Sequence, residues 1–383
     1  MFKNQNCHSK YSIERHQTTN TNPYTSKQQR MTSLTAHLKG GKQTLQHLPV
    51  ITQLSPLVWR FLGGNPSSYT LNGTNTYLIG QGPTRILLDT GAGNPSYSQT
   101  LINGMAEAGC LSISKIIISH WHHDHLGGVP QVLELNVGLN GTNAIPIHKY
   151  MPVDDPQLLG SGESAIDPYT FWPREKFIPI QNGDVIQDAG VHLTMLHTPG
   201  HANDHVVAIL EEENAMFTAD NVLGVGTAVF NNLSQYLQSL TLMKSKNPNR
   251  LYPGHGPLIE NGIQTLSAYI EHRLKRVIGA VNTLNETPSL SQGGKWTLET
   301  LTRAIYIGLA EQLIPPAMSN TLQVLEALRK EGIVDVVGKK GGDEGVRNRK
   351  DEWKLLVDKN EALRIIDRMN GMVKKNHLRK CKK

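Results

Sequence analysis

The stretch His120-Trp121-His122-His123-Asp124-His125 concentrates side chains that commonly bind transition metals. Imidazole nitrogen and carboxylate oxygen both bind Zn²⁺ at about 2.0–2.2 Å. The stretch directly follows the apolar run 115–119, which we interpret as a strand, and the glycines at 127 and 128 allow the backbone to turn sharply into a helix. This pattern therefore predicts ligands for two neighbouring metal ions, supplied by His120, His122, Asp124 and His125.

Three further ligand-type residues each lie just after an apolar segment. His201 ends Thr198-Pro199-Gly200-His201, Asp220 follows the run 215–218, and His255 lies within Pro253-Gly254-His255-Gly256. Strand ends converge on one edge of a sheet sandwich, so these three side chains can reach the same place as the first four. Seven residues are enough to complete two metal sites.

In their order along the chain, HxHxDH, TPGH, AD and PGHG resemble the motifs of the metallo-β-lactamase superfamily. The resemblance implies two Zn²⁺ ions per chain and a division of the ligands between them. His120, His122 and His201 would hold the first ion, Asp124, His125 and His255 the second, and Asp220 would bridge both. Asp89, in Asp89-Thr90-Gly91 after a predicted strand, would orient a ligand imidazole.

The resemblance also implies a mechanism. A water shared by two Zn²⁺ ions about 3.5–4 Å apart is a hydroxide at neutral pH, and this metal-bridging hydroxide would attack phosphorus or a carbonyl carbon. The bond cleaved is a phosphodiester, a thioester or an amide, and the ligands do not distinguish among them. We predict Asp124, Asp220 and His272 as catalytic residues. His272 is included because the resembling proteins have histidine there, as they do at His205, and it would contact a substrate phosphate or donate a proton.

Other segments narrow the resemblance to the β-lactamase-like protein 2 group, which includes a mitochondrial endoribonuclease acting on single-stranded RNA. These segments are 61–66, 71–78 and 220–227. The group has a winged-helix-like C-terminal part, so single-stranded RNA is the first substrate we expect. The same features resemble fungal polyketide-associated thioesterases, which makes an acyl-carrier protein or acyl-CoA the alternative partner. Those proteins typically end soon after the catalytic core, which favours RNA. A metal-binding protein without catalysis is disfavoured because the ligand set is complete.

The predicted elements belong to the α/β class, an αββα metallo-β-lactamase sandwich with a small C-terminal winged-helix-like domain. Strands are predicted over 58–62, 76–79, 85–88, 115–119, 191–196, 206–210 and 215–218, and helices over 97–109, 233–244 and 262–284. Residues 140–180 are expected to form a loop-rich insertion. Helices starting at Thr297, as a cap, and over 321–331, followed by the apolar run 333–337, suggest the winged helix. The predicted domains are 1–47, an extension; 48–290, catalytic; 291–338, winged-helix-like; and 339–383, a basic tail.

Composition limits the remaining possibilities. The net charge is +6, yet Arg329–Lys383 alone holds 17 Lys and Arg against 9 Asp and Glu, so the excess is C-terminal and forms either a solvated tail or a surface that attracts a polyanion. The three cysteines are far apart, which favours a reducing compartment. The polar and basic extension 1–47 is compatible with a transit peptide or with disorder, so we expect a mitochondrial matrix or cytoplasmic protein. No apolar run is long enough to span a membrane, and a homodimer is possible.

Overall fold

This computed structural model describes residues 45–152, 173–288, 295–337 and 351–367. The strands are β1 (Ile51–Ser55), β2 (Val58–Leu62), β3 (Asn75–Ile79), β4 (Thr84–Leu88), β5 (Ser112–Ile118), β6 (Ile147–Tyr150), β7 (Ile178–Ile180), β8 (Val185–Asp188), β9 (Val191–His197), β10 (Val206–Leu210), β11 (Ala215–Ala219), β12 (Arg250–Pro253), β13 (Val334–Val336) and β14 (Trp353–Leu355). The α-helices are α1 (Pro95–Glu107), α2 (His123–Leu126), α3 (Val129–Glu134), α4 (Leu233–Ser245), α5 (Gly262–Leu284), α6 (Leu298–Ile305), α7 (Ile314–Lys330) and α8 (359–367). Short 3₁₀ turns lie at Leu139–Gly141, Arg174–Lys176, Glu211–Glu213 and Glu311–Leu313.

Two sheets form the centre of the domain predicted over 48–290. The first has seven strands in the order β1-β2-β3-β4-β5-β6-β7, and the second has five in the order β12-β11-β10-β9-β8. Strands β4 to β7 pair in parallel, as do β11 and β12, while the other neighbours are antiparallel. Parallel strands that are covered on both faces are apolar along most of their length. This is why β5 and β11 could be predicted from short apolar runs in the sequence.

The inner faces of the sheets pack on each other through aromatic rings. Tyr77 of the first sheet lies edge-on to Phe217 and Tyr252 of the second, with ring centroids 5.1 and 5.8 Å away. Helix α1 covers the outer face of the first sheet, and α4 and α5 cover the outer face of the second. The layers are therefore helix, sheet, sheet and helix, and the predicted αββα sandwich is confirmed.

One glycine lets α1 lie close to the first sheet. Asn94 caps the helix by accepting from the amide of Ser96, and Pro95 occupies the first turn. At Gly104 an added Cβ would lie 2.3 Å from the buried Phe61 ring. The helix axis can approach the sheet this closely because Gly104 has no side chain.

The C-terminal domain contains α6, α7, the β13–β14 hairpin and α8. The predicted cap at Thr297 is present as a capping box with Thr300. Helix α7 begins at Ile314, seven residues before the start we predicted, because Pro315 and Pro316 fall in its first turn, where a missing amide costs nothing.

The boundary predicted at residue 338 is too early. Strand β14 pairs with β13 in an antiparallel hairpin, and Trp353, Ala362 and Ile366 are buried in the same core as α7. Residues 351–367 therefore belong to the C-terminal domain rather than to the predicted basic tail, while 339–350 and 368–383 lie outside the described residues.

The predicted insertion 140–180 is partly regular, since it contributes β6 and β7 to the first sheet. Residues 153–172 of it, and residues 1–44 of the predicted N-terminal extension, lie outside the described part of the chain. Within the described ranges, no helix is long and apolar enough to cross a membrane.

Candidate metal centre

The seven residues predicted as metal ligands meet at one edge of the sandwich. The first sheet supplies the 120–125 loop and α2 directly after β5. The second sheet supplies His201 between β9 and β10, Asp220 directly after β11, and His255 directly after β12. The structure thus brings together side chains from both sheets in two groups, each of which could hold a metal ion. The first group is His120, His122, His201 and Asp220, and the second is Asp124, His125 and His255.

Three imidazole nitrogens converge in the first group. His122 Nδ1 lies 2.9 Å from His120 Nε2 and 3.0 Å from His201 Nε2, and the two Nε2 atoms are 3.3 Å apart. Asp220 Oδ2 lies 3.7 Å from His201 Nε2. His120 presents Nε2 and His122 presents Nδ1, so the two rings approach the same point from different directions.

The second group is built around carboxylates. Asp124 Oδ2 lies 3.4 Å from His125 Nε2 and 3.2 Å from His255 Nε2. Asp220 Oδ1 lies 3.3 Å from both of those nitrogens. One carboxylate oxygen of Asp220 therefore faces each group, which is the arrangement that a bridging ligand needs.

The donor set fits divalent metal ions. His125 Nε2 and Asp220 Oδ1 are buried, and although they lie 3.3 Å apart, neither has the geometry of a hydrogen bond with any partner among the described residues. Buried polar atoms are nearly always paired, so an orphan nitrogen and an orphan oxygen at the centre of seven metal-ligand side chains indicate a place for a cation.

The electrostatics differ between the two groups. Burial and the neighbouring imidazoles hold the pKa of His120 well below its usual value, and burial with His201 nearby lowers the pKa of His122 to about 3. Both rings are therefore neutral at physiological pH and have lone pairs to offer. In the second group burial opposes charge, but Asp220 and Asp124 overcome it and raise the pKa of His255 to about 9.

The same pairing acts on the carboxylates. Burial alone would raise the pKa of Asp220, yet His255 and His125 hold it well below the ordinary aspartate range. The pKa of Asp124 is likewise lowered by His125 and His255 against the effect of burial. Both carboxylates are ionised at neutral pH, as metal ligands must be.

Asp89 makes the contact that the sequence predicted for it. Its Oδ2 accepts from His125 Nδ1 at 2.7 Å and from Ser119 Oγ at 2.8 Å, while Oδ1 accepts from the Ser119 amide. Ser119 Oγ in turn lies 3.0 Å from His120 Nδ1. One buried carboxylate therefore orients an imidazole in each group, and its backbone adopts φ of 60° to turn the side chain inward at the end of β4.

Two supporting residues escaped sequence reasoning. Thr74 Oγ1 donates to Asp124 Oδ2 at 3.0 Å, and Asn65 holds Thr74 through both its amide and its hydroxyl. Asn75 Nδ2 donates to the carbonyls of Pro253 and Gly256, which flank His255. The only signal in the sequence was the polar run Asn72-Gly73-Thr74-Asn75 before an apolar strand. That run contributed to the family resemblance, but it did not predict which residues Thr74 and Asn75 contact.

His272 lies outside both groups. It is half-buried on α5, its Nδ1 has no partner among the described residues, and burial with Arg273, Arg276 and Lys275 nearby lowers its pKa to about 3. Its catalytic role stays a prediction, and its neutral state favours hydrogen bonding over proton donation.

The remaining histidines have other surroundings. His205 is fully buried beside the first group, with its ring 5.2 Å from that of His120 and Nδ1 near Thr198 Oγ1 at 3.0 Å. His197 stacks on Tyr150 with ring centroids 4.0 Å apart, which agrees with a structural role. His123, which is not among the predicted ligands, is exposed.

Comparisons with known proteins agree with this geometry. The sequence pattern of the metallo-beta-lactamase superfamily matches residues 69–255, and that of the beta-lactamase associated winged helix domain matches residues 297–342. The lactamase-like protein vrtG of Penicillium aethiopicum is 37% identical over 303 residues, covering 77% of this chain and 90% of the relative. The lactamase-like protein ptaB of Pestalotiopsis fici is 36% identical over 296 residues, covering 77% and 86%. The beta-lactamase-like protein 2 homolog of Caenorhabditis elegans is 34% identical over 292 residues, covering 76% and 90%.

These alignments correct one expectation. They are longer than the catalytic domain predicted over 48–290, so these two fungal relatives do not end soon after the catalytic core. Among solved structures, a beta-lactamase domain protein from Burkholderia ambifaria superposes with a TM-score of 0.61 at 15% identity, covering 81% of this chain and 95% of that one. A metallo-beta-lactamase family protein from Thermus thermophilus gives 0.58 at 22% identity, covering 79% and 100%. At these identities the structures bear on the fold alone.

Proposed function

The chain belongs to the metallo-beta-lactamase superfamily, and we propose that it is a hydrolase that uses two zinc ions. The observation that carries the proposal is the position of Asp220, whose two carboxylate oxygens face the two ligand groups separately. His120, His122 and His201 would hold one ion, Asp124, His125 and His255 the other, and Asp220 both. Two zinc ions at such a site lower the pKa of a shared water and stabilise negative charge on a substrate oxygen.

The protein's own side chains prepare the site. Neutral His120 and His122 and ionised Asp220 are already in the protonation states that ligands require, whereas His255, whose pKa is raised to about 9, would lose a proton when an ion binds. Asp89 and Thr74 fix the direction of His125 and Asp124. Because the pKa values of Asp124 and Asp220 are low, both side chains stay ionised at neutral pH. They would therefore bind cations and would not donate protons. His272, a neutral imidazole, would bind a substrate oxygen by a hydrogen bond.

For the substrate we propose single-stranded RNA. The C-terminal excess of 8 positive charges over Arg329–Lys383 suits a polyanion, and phosphodiester cleavage suits two metals flanking one phosphorus. The similarity to a beta-lactamase-like protein 2 homolog over 90% of its length supports the same assignment, since the sequence motifs resemble that group.

An acyl thioester of a carrier protein or coenzyme A is the second candidate. The observation that favours it is the higher identity of the fungal lactamase-like proteins, which extends past the catalytic domain. Length therefore no longer separates the two candidates, and only substrate turnover can.

A paired assay tests the proposal. Purified full-length protein is given labelled single-stranded RNA or an acyl thioester, each with and without a chelator, and beside Asp220→Asn. Chelator-sensitive RNA cleavage that falls steeply with salt supports the first candidate, and thioester turnover with intact RNA supports the second. Two bound zinc ions without turnover of either substrate would refute both substrate assignments.

We also propose the mitochondrial matrix as the site of action, with the cytoplasm as the alternative. The support is the composition of residues 1–30, which hold five Lys and Arg against one acid. Microscopy of the tagged full-length protein and of a variant lacking residues 1–47 tests this, because loss of mitochondrial signal only in the shortened protein is the expected result.

A further inference from the structure

The segment 228–230 lies between the candidate metal centre and the C-terminal domain. On the metal side, His201 Nδ1 donates to the carbonyl of Val229 at 2.7 Å. This bond places the proton on Nδ1, so Nε2 keeps its lone pair facing His120 and His122. The next residue, Asn231, donates from Nδ2 to the His201 carbonyl at 2.9 Å. The direction of the His201 ring therefore depends on where this segment is held.

Two side chains hold the segment from the opposite side. Arg273 of α5 donates to the carbonyl of Ala228 at 2.6 Å, and its guanidinium lies 4.8 Å from the centre of the Phe230 ring. Asn320 of α7 accepts from the Phe230 amide at 3.3 Å and donates to the Ala228 carbonyl at 3.4 Å. Asn320 thus bonds to the backbone on both sides of Val229, whose carbonyl accepts the hydrogen bond from His201 Nδ1.

The choice of asparagine at this position is informative. Asn320 is 6% exposed on a helix whose neighbouring buried positions are Ala317, Met318, Thr321, Val324 and Leu325, and the Thr321 hydroxyl bonds within the helix itself. Burying an amide costs free energy that an apolar side chain would not, and packing between domains needs no amide. The amide here satisfies two backbone groups of the segment that orients a ligand.

We propose that Asn320 is a positioning residue for His201, through which the C-terminal domain tunes metal binding in the catalytic domain. The inference rests on the proposed function, since it assumes that His201 binds a metal ion. It adds a role for the winged-helix domain that does not depend on contact with the substrate.

The test compares two variants with a neighbouring control in the full-length chain. Asn320→Leu keeps the branched shape at a larger volume and removes both bonds, and Asn320→Ser is a milder change that is too short to bridge both backbone groups. Thr321→Val is the control, because Thr321 is also buried and its hydroxyl bonds within α7, to the Ala317 carbonyl. Metal-free samples are titrated with Co²⁺, whose visible absorption reports ligand geometry, and thermal unfolding is recorded without metal.

We expect each Asn320 variant to weaken one of two Co²⁺ equivalents by about threefold to tenfold, below the 10–100-fold seen when a direct partner of a ligand is removed. The spectrum of that equivalent should change, and Thr321→Val should bind both equivalents like the wild type even if it unfolds at a lower temperature. Unchanged affinity and spectrum in the folded Asn320 variants, with normal wild-type uptake, would overturn this inference alone. A wild-type chain that takes up no metal would overturn the proposed function and the inference together.

Discussion

His125 Nδ1 donates to Asp89 Oδ2 across 2.7 Å, and both side chains are buried. The bond commits His125 to offering Nε2, the atom that faces Asp124 and Asp220. Asp89 is not a member of either ligand group. Its carboxylate also bonds Ser119, whose hydroxyl contacts His120. The two ligand groups therefore share one anchoring carboxylate.

Replacing that carboxylate should weaken metal binding. Asp89→Ala removes the acceptor of the His125 proton, so we expect zinc affinity to fall by about 10–100-fold. Competition titration against a chromophoric chelator measures the change. Asp188→Ala is the matched control, because Asp188, the last residue of β8, is also a paired carboxylate but bonds Lys115 near the surface, away from both groups. Equal affinities in both variants would show that Asp89 does not orient the ligands.

Asp220→Asn should abolish turnover of whichever substrate the protein hydrolyses. An amide has one acceptor oxygen, so it cannot present an anionic oxygen to each group as Asp220 does. Elemental analysis should find fewer than two zinc ions per chain. A variant that holds two ions and turns over at the wild-type rate would contradict the bridging role.

Gly104→Ala should destabilise the protein by about 1–3 kcal/mol through overpacking. The added Cβ would meet the Phe61 ring at 2.3 Å, and that ring is fully buried. Gly279→Ala is the contrasting helix substitution, since its Cβ would lie 3.8 Å from Ile305 and the loss of glycine should stabilise α5 by about 0.5–1 kcal/mol. Denaturant unfolding of the metal-free proteins compares them, and equal shifts in the two variants would refute the packing argument.

Two truncations separate folding from polyanion binding. Removal of residues 339–383 deletes β14 and Trp353, so β13 loses its pairing strand and apolar residues of α7 become exposed. We therefore expect a lower unfolding temperature. Removal of residues 368–383 deletes seven Lys and Arg and no acid. We expect that shorter truncation to keep the stability while it weakens RNA binding and flattens its salt dependence. An unchanged salt slope would exclude this segment from RNA binding.

The candidate ligands were easier to predict than the residues that hold them in place, because metal ligands come from a few residue types. His120, His201 and Asp220 follow predicted strands whose ends lie within one residue of those in the structure, so type and position could be combined. Thr74 and Asn320 are ordinary polar residues whose partners lie 50 and about 90 positions away, and no local pattern reports such pairings.

The fold shows the same division. Strand β10 and helix α5 have the predicted bounds, because β10 is a continuous apolar run that ends before Glu211 and α5 has a clear helical period. Strand β14 was missed because three residues with one buried tryptophan carry no periodicity, and only pairing with β13 makes them a strand. The early start of α7 was missed because two adjacent prolines usually end a helix and here begin one.

The division of the ligands between the two sheets has a consequence for synthesis. The cluster at 120–125 is complete early, but His201, Asp220 and His255 are added over the following 130 residues. A growing chain can therefore chelate a metal only weakly until the second sheet has docked. Tight zinc binding would therefore come after the two sheets have packed together, and it would stabilise their contact. A chain that stops before His255 would bind zinc only weakly.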